Sequence, residues 1–232
     1  MDIQGAATTS GAMTRFSLSP RRRGLLALSL SLAAIAGPPL LSPVMAQNEQ
    51  DDIALVQRHI RGVTTLTADF SQTDRRGQVQ TGKLLWKQPG HMRFQYEPSN
   101  PLLIVADGKS LYMIDYEVRQ VQRWPIGNSP LGALLDPTRD MTRFGKVVQT
   151  GDPRILSVEV RDPTHPEYGV INLVFQRGGD GPAGLKLYGW VAKDAQGNRT
   201  SIRLTGAVYG VPIADSAFRW KDPRPMGRGA GR

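Results

Sequence analysis

The chain contains no cysteine, and histidine occurs three times in 232 residues. The first absence removes disulfides, thiolate metal sites and cysteine catalysis together, so the fold must be held by its core alone. The three histidines, His59, His91 and His165, are spread along the chain; the helical pattern puts His59 on a polar side, and the other two fall among turn residues. None has a neighbour that would make it a base or a ligand, and no metal is expected. Also missing are the Gly-x-Ser-x-Gly elbow, the His-Glu-x-x-His helix and the phosphate-binding loop. Gly179-Asp180-Gly181-Pro182-Ala183-Gly184 matches a dinucleotide glycine pattern, but Pro182 interrupts it and a strand pattern follows where a helix is required. No cofactor and no enzymatic activity are expected.

Long apolar runs are absent as well. The longest uncharged apolar stretch, Gly24 to Ala36, follows the patch Arg21-Arg22-Arg23 and precedes Gly37-Pro38-Pro39 and the small-residue site Val44-Met45-Ala46. Charge, a short apolar run and a small-residue cleavage site make up a secretory signal, and the run is shorter than the roughly 20 residues a spanning helix needs. Residues 1–46 are therefore read as a cleaved signal peptide, by the general or the twin-arginine route, and 47–232 as one exported periplasmic domain. Arg15, Arg21, Arg22, Arg23 and Asp2 precede Gln47, so the remainder carries 25 basic against 19 acidic residues, a net charge near +6. The basic residues alternate with apolar ones instead of clustering, which with export argues against nucleic acid. They read as solvated strand faces, with attraction to anionic headgroups as the functional alternative. Arg219, Lys221, Arg224, Arg228 and Arg232 concentrate at the end, and 222–232 read as a basic, mobile tail.

What is present is period-two alternation. Asp51 or Asp52 can cap an opening helix that buries Ile53, Val56, Ile60 and Val63. Then Leu66, Ala68 and Phe70 alternate with polar residues, as do Gly82, Leu84 and Trp86, and Met92, Phe94 and Tyr96 beyond Pro89-Gly90. Asp107-Gly108 separates two further strands carrying Leu111 and Met113, and "VRQVQRW" continues the pattern, giving six strands joined by short turns. After a loop and a short helix with Leu131, Leu134 and Leu135, strands resume at "RILSVEVR", "YGVINLVFQR", "LKLYGWVAKD", "RTSIRLTGAVYG" and "SAFRW". About eleven antiparallel strands must curl, with two short helices to cover their inner face. Either helices and sheet close a dry core, the outcome composition favours, or they enclose an apolar cavity under a lid.

Five segments in order carry a resemblance. "TADFSQ", "GKLLWKQPGHMRFQYE", "LLIVADGKSLYMIDYEVRQV", "GNSPLGALL" and "SAFRWKDPRP" resemble the LolA family, periplasmic carriers of outer-membrane lipoproteins, across nearly all of residues 51–225. The resemblance implies a mainly β (α+β) fold, an open antiparallel half-barrel with a few short helices over a hydrophobic cavity. It implies a monomer that accepts acylated lipoproteins from an inner-membrane ABC transporter and passes them to an outer-membrane receptor. Phe70, Leu84, Trp86, Met92, Phe94, Tyr96, Leu111 and Met113 would line the cavity, with Leu131, Leu134 and Leu135 on the lid. Gln88 stands where the family typically has an arginine that holds the lid shut, so either another donor, Arg93 being near in sequence, replaces it, or opening is controlled differently. A carrier or sensor of another lipid on the same fold, and a filled-core interaction module, remain the other readings.

Overall fold

The computed structural model describes residues 43–225, with side chains from residue 48 onward. Most of the expected signal segment and the end of the basic tail, 226–232, lie outside the described residues. The first helix, α1 (Pro43–Gly62), spans the expected cleavage point before Gln47 and starts well ahead of Asp51 and Asp52. Those aspartates are therefore inside the helix and do not cap it. Asp52 instead reaches Arg177 on the sheet at 2.7 Å.

The alternation from residue 65 onward becomes six strands: β1 (Thr65–Thr73), β2 (Val79–Lys87), β3 (His91–Tyr96), β4 (Leu102–Asp107), β5 (Ser110–Asp115) and β6 (Gln120–Pro125). His91, expected in a turn, is the first residue of β3. Two one-turn helices follow, α2 (Gly132–Leu135) and α3 (Met141–Phe144), the latter opened by the Asp140 carboxylate, which accepts from the Thr142 amide at 2.9 Å. The second series is β7 (Gly145–Val148), β8 (Ile155–Arg161), β9 (Val170–Arg177), β10 (Leu185–Lys193) and β11 (Arg199–Tyr209). All eleven form one antiparallel sheet in the order β6-β5-β4-β3-β2-β1-β11-β10-β9-β8-β7. Each series is a meander, and among the described residues the pairing of β1 with β11 is the one non-sequential strand pairing that welds them. β6 and β7 are the two free edges, so the sheet is open.

The strand count matches the expected eleven, but its membership differs. β7 has only four residues, too few for alternation to stand out. "SAFRW" pairs with no strand; Asp215–Phe218 is a 3-10 turn, and the chain around it crosses the outer face of the sheet. Its alternating pattern reflects one apolar side packed on that face, with no backbone ladder to join.

The β4–β5 hairpin shows how turn chemistry sets register. Gly108 takes φ +93°, and the Asp107 carboxylate accepts from the amides of Lys109 and Ser110 at 2.9 and 2.8 Å. These bonds hold the Asp107 carboxyl below the ordinary carboxylate range despite its partial burial.

The sheet buries apolar side chains on both faces. The inner, concave face carries the main core, where α1 lies with Ile53, Val56, Ile60 and Val63 all buried. Because α1 sits in a trough and touches α3, β7 and the β9–β10 connection, its buried stripe is wider than the four-residue pattern indicates. His59, expected on the polar side, is fully buried: its ring lies edge-on to Phe175 and Tyr209, and Nδ1 donates to the Pro182 carbonyl at 2.8 Å. That assigns the proton to Nδ1 and leaves Nε2 buried without a partner among the described residues. Burial lowers the His59 pKa below its ordinary value, only partly opposed by the Pro182 bond. The glycine-rich segment around Pro182 thus serves as the seat of α1. A second, smaller core on the convex face joins Leu103, Val105 and Ile114 to Phe218 of the C-terminal segment.

Candidate apolar binding site and its lid

Strand parity brings most of the expected lining residues together. Phe70, Leu84, Trp86, Met92, Phe94 and Tyr96 all point to the concave side of β1–β3 and are buried. Their aromatic rings interlock edge to face: Phe70 with Phe94 at 5.3 Å, Phe70 with Tyr96 at 5.1 Å, and Phe94 with Trp190 at 6.0 Å. The Tyr96 hydroxyl donates to the Gln72 amide oxygen at 2.7 Å, and burial pushes its pKa upward. Leu134 and Leu135 of α2 are buried against this face, while Leu131, the residue just ahead of α2, is half-buried.

The wing formed by β4–β6 is different. Leu102, Ile104, Leu111 and Met113 share the concave side there, yet each is only half-buried, and Trp124 on the edge strand is 39% exposed. Leu111 and Met113 therefore belong to a partly uncovered apolar strip that continues the buried aromatic cluster toward β6.

The two candidate latch residues lie on opposite faces. Gln88, in the turn between β2 and β3, donates from Nε2 to the Leu134 carbonyl of α2 at 2.8 Å, while its Oε1 accepts from the Gly90 amide at 3.2 Å. Arg93 faces the convex side: it donates to the carbonyls of Ala217 and Arg219 at 3.2 and 3.1 Å, and to the Gln95 side chain. Among the described residues Arg93 makes no hydrogen bond to α2. Its geometry corrects the idea that it stands in for the missing arginine, because five residues of separation across a turn put it on the other face.

One donor in this region has no acceptor. The Trp86 indole Nε1 is buried without a partner among the described residues, a state that costs on the order of 1–3 kcal/mol. Trp190 completes the aromatic cluster but escaped the alternation. A β-bulge between Leu187 and Gly189 shifts the parity of β10, so simple counting from Leu187 assigns Trp190 to the wrong face. Ile104, Leu102 and Trp124 were signalled only by their alternation.

Among the described residues no three His, Asp or Glu side chains converge on a point where a metal ion could sit. His165 stacks on Tyr168 at 4.7 Å and bonds Asp162 three residues earlier, which is a local turn contact. No described helix is long and apolar enough to cross a membrane.

Comparison with known proteins places the chain in a family. Residues 61–221 match the family described as outer membrane lipoprotein carrier protein LolA. An outer-membrane lipoprotein carrier protein of Xanthomonas campestris pv. campestris is 33% identical over 173 residues, covering 69% of this chain and 79% of its own length. One from Cupriavidus necator is 29% identical over 181 residues, covering 73% and 83%. Among solved structures, a LolA superfamily protein from Nitrosomonas europaea aligns with 74% of this chain and 97% of its own at a TM-score of 0.40 and 11% identity. With a curved eleven-stranded sheet, short covering helices and a family match over most of its length, the chain belongs to the LolA family of outer membrane lipoprotein carrier proteins.

Proposed function

We propose that the chain is a periplasmic carrier, without enzymatic activity, that binds the acyl chains of lipoproteins on the concave face. In this reading it accepts them from an inner-membrane ABC transporter and delivers them toward the outer membrane, after export by the signal in residues 1–46. The observation that carries the reading is the graded cover over one continuous apolar face. Beside Gln88 it is closed by α2, which Gln88 bonds to the sheet; along Ile104, Leu111, Met113 and Trp124 it is already partly open. Acyl chains would start on the open strip and displace α2 as they advance. The unpartnered Trp86 N–H adds a donor suited to an ester carbonyl of the cargo.

Energetics fix the division of labour. Burying acyl chain is worth about 0.8 kcal/mol per CH₂, so three chains with roughly 40 methylenes resist leaving a membrane by on the order of 30 kcal/mol. Extraction on that scale needs coupling to ATP in the transporter; the carrier's share is an apolar surface that can be filled and emptied. Flexible Met92 and Met113 suit a lining that adapts to different chains.

The test is release of a labelled lipoprotein from spheroplasts into the supernatant. Release that requires both ATP and this protein is expected. A folded protein that releases nothing but takes up a fluorescent apolar probe would redirect the reading to another lipid. The specific observation favouring a filled-core module is the complete burial of Trp86, Met92, Leu134 and Leu135; failure of probe uptake would support it.

A further inference from the structure

The convex face is treated differently on its two wings. Over β2–β5 it is roofed by the C-terminal segment. Over β8–β11 nothing among the described residues covers it, and it is not flat. A depression of about 390 Å³ lies between Ser71, Val174, Tyr188, Val191, Ile202 and Arg203. It exists because the bulge in β10 places Tyr188 and Gly189 together on the outer side, and Gly189 has no side chain to fill the space between them. A Cβ at Gly189 would come within 2.1 Å of the Ile202 carbonyl, and its φ of +155° favours glycine, so the depression is built into the backbone. Val191 also lines a second depression, of about 280 Å³, with Val170, Asn172, Arg161, Lys193 and Arg199. The two form one lane across five strands, from β1 to β8, with half-buried valines on its floor.

Basic residues outnumber acidic ones along this lane. The Arg203 guanidinium sits over the Tyr188 ring at 5.1 Å, and Tyr188 is 39% exposed. Among the described residues no carboxylate forms an ion pair with Arg203, Lys193 or Arg199. The lone acid in the lane, Glu159, lies 3.7 Å from Arg161. On β2, by contrast, both cations are paired: Lys83 with Asp69 and Lys87 with Asp215. An exposed tyrosine with an arginine stacked on it is of the residue types enriched at protein recognition sites, and the three unpaired cations around it favour an acidic partner.

We propose that this convex lane docks a partner protein through an extended acidic segment, its carboxylates meeting Arg203, Lys193 and Arg199 and its apolar side chains entering the depressions beside Tyr188 and Val191. A membrane surface fits less well, because a planar array of headgroups would meet the cations without reaching the valine floor. The site is separate from the concave apolar face and does not depend on acyl binding there.

The test uses protein purified from the periplasm of expressing cells and a fluorescent synthetic peptide alternating Glu and Val. Fluorescence anisotropy at low salt should show binding that Arg203→Glu weakens about tenfold, with Lys193→Glu as an independent second reversal and Tyr188→Ala reporting the apolar contribution. Replacing each Glu of the peptide by Gln should abolish binding. Thermal melting of each variant separates loss of the site from loss of the fold. Absence of binding by the unmodified protein, or binding indifferent to both charge reversals, overturns the proposal. So does stronger attachment to phosphatidylglycerol vesicles than to the peptide when both depend on the same residues; that result would assign the lane to a lipid surface.

Discussion

The two faces of the β2–β3 hairpin are both covered, but in different ways. On the concave side the cover is α2, four residues long, tied to the sheet through Gln88 and its bond to the Leu134 carbonyl. On the convex side the cover is the C-terminal segment, held at several points. Lys87 donates to the Ile213 carbonyl at 2.9 Å and pairs with Asp215 at 2.6 Å; Arg93 grips Ala217 and Arg219; the Tyr116 hydroxyl donates to the Lys221 carbonyl at 3.1 Å. Phe218 is buried beneath, against Leu103, Val105 and Ile114. A helix this short has almost no stability of its own and persists only by packing. One face therefore has a cover suited to leaving, and the other a cover built to stay.

Truncations of a buried ring on each face should separate them. Phe94→Ala removes the ring that touches both Phe70 and Trp190, and a loss of about 3–5 kcal/mol in urea unfolding is expected, as for large core truncations. Glutamate at the same position would bury a carboxylate in the aromatic cluster, so it would abolish acyl binding partly by destabilising the fold; alanine is the cleaner probe. Phe218→Ala should cost less, about 2–3 kcal/mol, because the segment above it can settle into the space. Its signature should be local, with new protease cleavage after residue 210 and unchanged uptake of an apolar probe. Equal losses with equal probe behaviour would erase the distinction between the covers.

Gln88→Ala comes next in size. Removing one bond to a backbone carbonyl should lower stability by only about 1 kcal/mol. Hydrogen exchange at Leu134 and Leu135 should nevertheless rise, and a fluorescent acyl probe should load faster. If loading is unchanged while exchange rises, α2 opens without admitting cargo, and the concave face fills from the β4–β6 strip alone.

Much of this arrangement was legible in the sequence, for a physical reason. A strand with one buried face must alternate, so Phe70, Trp86, Phe94 and Tyr96 could be assigned to one surface before any coordinates. The hairpin at Asp107-Gly108 declared itself through residues that favour a tight turn: a glycine free to take positive φ and an aspartate that accepts from the following amides. Features that depend on the third dimension did not. The segment around Phe218 alternates like a strand, but strand pairing needs a free neighbour, and the two free edges, β6 and β7, lie elsewhere. Trp190 was lost to a bulge that changes parity by one. The opposite orientations of Gln88 and Arg93 were set by a turn whose geometry residue types did not reveal.

His59 was misread because polarity predicts exposure only on average. Its burial yields the smallest predicted effect and tests whether α1 belongs with the fixed or the removable covers. The neutral ring donates from Nδ1 to Pro182, and its Nε2 is enclosed by apolar surroundings with no acceptor. A proton added at Nε2 would have nowhere to donate, which is why the folded-state pKa lies below the unfolded value. The unfolded chain thus binds the extra proton more readily. Stability is full above the ordinary histidine pKa of 6.5 and falls as pH drops from there toward the lowered folded value. For a single proton the slope cannot exceed about 1.4 kcal/mol per pH unit, and just below neutrality only part of it operates. Urea unfolding between neutral and mildly acidic pH should show this loss in the unmodified protein, and His59→Phe should flatten it. A flattened slope in which α1 still resists hydrogen exchange at acidic pH would make the helix a fixed part of the core, anchored also by Asp52–Arg177. An α1 that exchanges ahead of the sheet would instead place it among the parts that can lift off the concave face.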